Sequence, residues 1–235
     1  MRKIFCEKSS FIGFLVVVIL LVITIIISGV LPSVLSTSSS SHSKVFKVVI
    51  DAGHGGIDGG VNGKISGVKE SDLNLDIAKK LKEQFEEVGI KVVMTRTSYG
   101  GLYGTTGKGF KMRDMKKREK IINSSSADLM LSVHLNYFSS PSRKGAIVFF
   151  GEDKEGERLA KNIQKYFNEY INLERDFSPL QGDYYLLNVA NCPSVICECG
   201  FLSNQEDEEN LLKEEYREFI ARQIFYGSIS YLYGE

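Results

Sequence analysis

Net charge is the first thing this sequence lacks. Its 235 residues carry 29 basic and 29 acidic side chains. Arg2, Lys3 and Lys8 stand against Glu7 near the N-terminus, which leaves the remainder slightly acidic, at −2. That balance argues against a bulk electrostatic grip on nucleic acid. It leaves recognition of a neutral ligand open. Cysteine is scarce as well: Cys6, Cys192, Cys197 and Cys199. With Cys6 expected on the cytoplasmic side, three remain outside. An odd number argues against a disulfide framework, and Cys197 and Cys199 are too close in sequence to bridge easily. They read as small buried hydrophobes. No internal repeat is present. A phosphate-binding loop is missing too. In Gly104-Thr105-Thr106-Gly107-Lys108-Gly109 the first required glycine is Leu102, and the required Ser/Thr is Gly109. Histidine is rarer still, with only His42, His54 and His134.

What is present begins with residues 11–31, an uncharged and almost wholly apolar run. A helix of about 20 such residues can cross a bilayer. The basic residues upstream orient the N-terminus inward. The expected organisation is a cytoplasmic stub at 1–10, a membrane anchor at 11–31, a Ser-rich linker at 32–43 and one folded domain at 44–235. The domain then lies outside the cytoplasm, held to the cytoplasmic membrane. A cleaved signal peptide, cut near Val34-Leu35-Ser36, is the alternative and makes the protein secreted.

Within 44–235 the hydrophobic periods alternate. Short apolar, β-branched runs at 45–50, 90–95, 129–133, 146–150 and 194–198 read as strands. Residues 71–88 place Leu73, Ile77, Leu81 and Phe85 on one helical stripe. Residues 113–123, 155–171 and 213–232 read as further helices. Residues 99–111, rich in Gly and Thr, read as a loop. Strands alternating with helices predict an α/β fold, with a mostly parallel sheet flanked by helices. The residues left over hold no additional module.

His54 and His134 each follow a predicted strand, and sites in open α/β sheets collect at the carboxyl ends of strands. Both are therefore expected on one edge. Taken singly, each is an ordinary turn residue; taken together, with glycines around His54, they suit a metal. Two histidines and a carboxylate form a known catalytic zinc set that keeps one position open for water. Spacing does not decide which carboxylate completes it. Glu70 opens the first helix, where an acidic residue is favoured in any case. Glu198 closes a buried strand, where a charge must be paired or used. Its alternative is an ion pair with Arg96 or Arg118. Alternation along the strand sends Cys197 and Cys199 to the opposite face from Glu198.

The segments DAGHGGIDGG, GVKESDLNLDIA, ADLMLSVHLN and VICECGFLSNQEDEENL, in that order, resemble those of the zinc-dependent N-acetylmuramoyl-L-alanine amidases of the Amidase_3 type. The resemblance spans roughly residues 45–233. It implies zinc bound by His54, Glu70 and His134, and Glu198 as the catalytic general base and acid. The implied reaction cleaves the amide between N-acetylmuramic acid and L-alanine in peptidoglycan. Arg118 and Asn136 match recurrent positions and are expected to contact substrate, with a structural role for Arg118 the alternative. Size and anchor look closest to the CwlD-type, germination-specific members from spore-forming bacteria. These act on spore cortex, where stem-peptide loss precedes muramic-δ-lactam. Residues 137–145 leave no room for the inserted helix that blocks zinc in some division amidases. The cysteines beside Glu198 are expected to make the site redox-sensitive, and the 99–111 loop to shape the substrate groove. An activating protein partner is compatible with metal-coupled ordering, but nothing in the residues identifies it. Another zinc hydrolase, such as a peptidase, and an idle wall-binding domain are the competing readings.

Overall fold

Six strands, β1 (Lys47–Ala52), β2 (Lys91–Met94), β3 (Leu129–Asn136), β4 (Ile147–Phe150), β5 (Leu180–Gln181) and β6 (Ser194–Phe201), form one sheet in the computed structural model. The structure describes residues 18–20 and 44–234. The folded unit is Val45–Glu235. Apart from residues 18–20, the anchor expected at 11–31 lies outside the described residues, as do the 1–10 stub and the 32–43 linker. Among the described residues, no helix is long and apolar enough to cross a membrane.

The strand order is β2-β1-β3-β6-β4-β5. All neighbours are parallel except β4, which runs antiparallel to β6. The sheet is therefore mixed, a correction to the mostly parallel expectation: four of its five pairings are parallel, but β4 and β5 both run opposite to the other four strands. The cause lies in the connection. Ten residues without a helix separate β3 from β4, and a parallel return needs a dozen or more, usually helical.

Six helices cover the sheet: α1 (Glu70–Glu87), α2 (Phe110–Ser124), α3 (Lys154–Tyr170), α4 (Tyr185–Val189), α5 (Gln205–Leu211) and α6 (Glu214–Tyr233). In α1 the expected stripe Leu73, Ile77, Leu81 and Phe85 is buried. Gly89, at φ 78°, ends the helix. In α3 the Asp153 carboxylate caps the Gly156 amide at 2.8 Å. Helices α1, α3 and α6 pack on one face, over Val48, Ile50, Leu131, Val133, Val195 and Cys197. Helices α2 and α4 cover the other face, over Val49, Met130 and Ile196. Of α2, only Asp114, Arg118 and Ile122 are buried. The strand β5 and the helices α4 and α5 went unread in the sequence. Each is too short for a hydrophobic period to show.

Candidate metal centre

Strand pairing decides which side chains meet. Asp51 of β1 stands beside Ser132 of β3, which stands beside Ile196 of β6. One pleat further, His134 stands directly opposite Glu198. Side chains two apart share a face, so His134 and Glu198 lie on the α2 side. Cys197 and Cys199 point into the opposite core, where both are buried. Burial pushes both thiols' pKa up, with the nearby Glu198 charge adding to the effect at each. A redox-sensitive site needs an accessible thiolate, so the expected sensitivity is corrected.

Glu70 enters from the first turn of α1 and is buried. Its Oε1 lies 3.0 Å from His134 Nδ1 and 3.3 Å from His54 Nε2. It also accepts from Asn74 Nδ2 and from the Leu135 amide, each at 3.2 Å. Its Oε2 accepts the Val61 amide at 2.9 Å. Burial opposes ionisation of this carboxyl. The hydrogen bonds and charges of His134 and His54 prevail and hold it well below the usual range. The two imidazole rings meet edge to face at 5.0 Å. Gly53 makes that approach possible, because a Cβ there would lie 2.3 Å from the His134 ring.

The residues fit a divalent metal. One ligand atom each from His54, Glu70 and His134 lies within 4.8 Å of the others. Two imidazoles and a carboxylate form a zinc-type donor set. Asp58 Oδ2 lies 3.2 Å from His54 Nδ1. A carboxylate on the far nitrogen orients a ligand histidine. Asp58 was missed in the sequence, although it stands four residues after His54 in the same motif. Asn74, one helical turn after Glu70, was missed too. It ties Glu70 to the Gly53 carbonyl, at 3.3 Å.

Glu198 stands apart from these three. Its Oε2 is buried without a hydrogen-bond partner. Burial pushes its pKa up to about 7, with Glu70 adding to the rise and His134 opposing it. Neither Arg96 nor Arg118 pairs with it. Arg96 donates to the carbonyls of Ala52, Gly53 and Ser71, each at 2.8 Å.

Arg118 departs from the expected substrate contact. It is 2% exposed. Its nitrogens donate to Asp51 at 2.6 Å, to Asp114 at 2.5 Å, and to the carbonyls of Ala52 at 2.8 Å and His54 at 2.5 Å. It braces the His54 loop from beneath. Asp51 also accepts from Thr95 at 2.6 Å and from Ser132 at 2.7 Å. Burial opposes its ionisation, but Arg118 and the two hydroxyls lower its pKa to about 2. Asn136 sits half-buried at the end of β3, where its Oδ1 accepts the Tyr137 amide at 2.8 Å. No helix interrupts residues 137–146.

A family model for N-acetylmuramoyl-L-alanine amidases, Amidase_3, matches residues 48–229. The chain belongs to that family. It is 36% identical over 189 residues to the germination-specific N-acetylmuramoyl-L-alanine amidase of Bacillus subtilis, covering 78% of each chain. It also resembles the CwlD amidase of Clostridioides difficile, solved in complex with the GerS lipoprotein. That match has a TM-score of 0.77 and 36% identity, over 81% of this chain and all of the other. A third likeness is to the amidase AmiC2 of Nostoc punctiforme, at TM-score 0.69 and 28% identity, over 80% of this chain and 97% of the other. The sheet architecture and the family match thus agree.

Proposed function

We propose that this amidase hydrolyses the bond between N-acetylmuramic acid and L-alanine with zinc at His54, Glu70 and His134. The carrying observation is the Glu198 carboxyl, one oxygen unpartnered, set directly across the strand pair from the ligand His134. Zinc in such a site acts as a Lewis acid, acidifying water and stabilising negative charge on a carbonyl oxygen. Glu198, with a pKa near neutrality, can take a proton from water and later give it to the departing amine of L-alanine. Asp58 holds the His54 ring, and Arg118 and Asn74 hold the backbone behind it. Asn136, at the rim, is the residue left to touch substrate.

The substrate we assign is spore cortex peptidoglycan, and the product a muramic acid freed for δ-lactam formation. Its support is the 36% identity to a germination-specific relative. We place the domain outside the cytoplasm, anchored by residues 11–31, from the apolar run and its basic flank. An activating protein partner is part of the proposal, by analogy with the lipoprotein-bound relative. The test is full-length protein on intact peptidoglycan, with and without zinc. Free L-alanine amino groups without new reducing sugar ends, lost on chelation and regained with zinc, are expected. Release of amino groups from bonds within the stem peptide would make it a peptidase instead.

A further inference from the structure

Residues 95–109, between β2 and α2, supply no ligand to the centre, yet they are built against the loop that presents His54. The Gly56 amide donates to the Tyr99 carbonyl at 2.7 Å, and the Ile57 amide to the Tyr103 hydroxyl at 2.9 Å. Tyr103 fills the space beside Gly56, where a Cβ would lie 2.0 Å from its hydroxyl oxygen. Its ring meets Phe110 edge-on at 5.6 Å.

The segment is itself wired in place. Arg113 donates to the carbonyls of Tyr103 at 3.2 Å, Thr105 at 2.7 Å, Gly107 at 3.1 Å and Lys108 at 2.7 Å. Asp114 accepts the Leu102 amide. Arg96 fastens the base through the Ser98 carbonyl at 3.0 Å. Just past the segment, in the first turn of α2, Lys111 lies 3.5 Å from Asp58, the carboxylate that pins His54.

Something must hold that loop, because His54 sits at φ 60°. A side chain with a Cβ disfavours that region, and such strain persists only where neighbours over-determine it. Arg118 holds the His54 carbonyl from below. From above, the amides at 56 and 57 are held by Tyr99 and Tyr103.

We infer that Tyr103 is a positioning residue for the metal centre: its hydroxyl and ring lock the 54–58 loop in the conformation that offers His54 to the ion. The glycine-rich segment then sets metal affinity, a role separate from shaping the substrate groove. This rests on the zinc reading above.

The test is zinc titration of the full-length protein, wild type against Tyr103→Phe and Tyr103→Ala, beside the melting temperature of each metal-free form. Removing a group that orients a ligand commonly weakens metal binding 10–100-fold. Roughly tenfold weaker zinc binding is expected for Tyr103→Ala, and a smaller loss for Tyr103→Phe, which keeps the ring. Activity lost at limiting zinc should return as zinc is raised. Wild-type affinity in both variants would overturn the inference. So would a fall in metal-free melting temperature large enough to account for the affinity lost, which makes Tyr103 a packing residue only. Wild-type protein that binds no zinc would instead remove the reading beneath it.

Discussion

The two faces of this sheet are built from the same strands, one residue apart, and do opposite work. Toward α1, α3 and α6, the strands present Val48, Ile50, Leu131, Val133, Val195 and Cys197, all buried in one apolar cluster. Toward α2 and α4, the same strands present a smaller apolar cluster, Val49, Met130 and Ile196, and beyond it toward their carboxyl ends Asp51, Ser132, His134 and Glu198. Alternation of side chains lets one sheet carry its main core on one side, and a smaller core with the reacting centre on the other. The polar face is held by charge. Arg118 bonds Asp51 and Asp114, and one partner removed from such a buried set leaves another uncompensated. The apolar face is held by packing, which loses the transfer energy of the deleted atoms and leaves a cavity. The difference teaches where stability and chemistry can be separated in this fold.

The largest expected effect breaks chemistry alone. Glu198→Gln should keep zinc and fold but lower kcat by at least about a hundredfold, the usual share of a general base. Turnover close to wild type would sink the assignment. Next, Arg118→Ala should destabilise the protein by about 3–5 kcal/mol and weaken zinc binding as well, because it frees the His54 carbonyl. Leu131→Ala, on the other face, should cost a similar 2–5 kcal/mol or so but leave zinc affinity alone. Denaturant unfolding and zinc titration of both variants check the pair, and equal effects on zinc would erase the distinction between faces.

Acid sharpens the comparison further. Asp51 has its pKa lowered from 3.8 to about 2. Its contribution is therefore fully present above about pH 4 and lost as pH falls through about 2, amounting to roughly 2 kcal/mol. Unfolding measured between pH 5 and 2 should show that slope in wild type and lose it in Asp51→Asn. The smallest expected effect is none. Thiol alkylation of the folded protein should leave activity unchanged, because Cys197 and Cys199 face the apolar core. Inactivation by modification at either would show that this core opens.

The site was legible to different depths. His54 and His134 were readable as strand-end residues, and Glu70 and Glu198 as carboxylates that need a reason. Their order in the chain carried a family resemblance that the family match supports. Arg118 was legible only as a recurrent residue. Its two carboxylate partners come from β1 and from its own helix, and nothing local announces the first. Asp58 carried a signal within the His54 motif. Tyr103 carried none, since its bond to Ile57 joins two irregular segments 46 positions apart. The antiparallel β4 was hidden for a related reason. Its apolar run reads the same in either direction, and only the short connection before it limits the choice.

By itself, the sequence determined the alternation of strands and helices, the apolar stripe of α1, and the residue types able to hold a metal. These follow from periods of two and 3.6 residues and from side-chain chemistry, which are local properties. Tertiary structure decided which strands became neighbours. It thereby set His134 against Glu198, spent the donors of Arg118 inside the protein, and folded the glycine-rich segment onto the His54 loop. Those contacts join residues dozens of positions apart, and only the sheet's register and packing bring them within hydrogen-bonding distance.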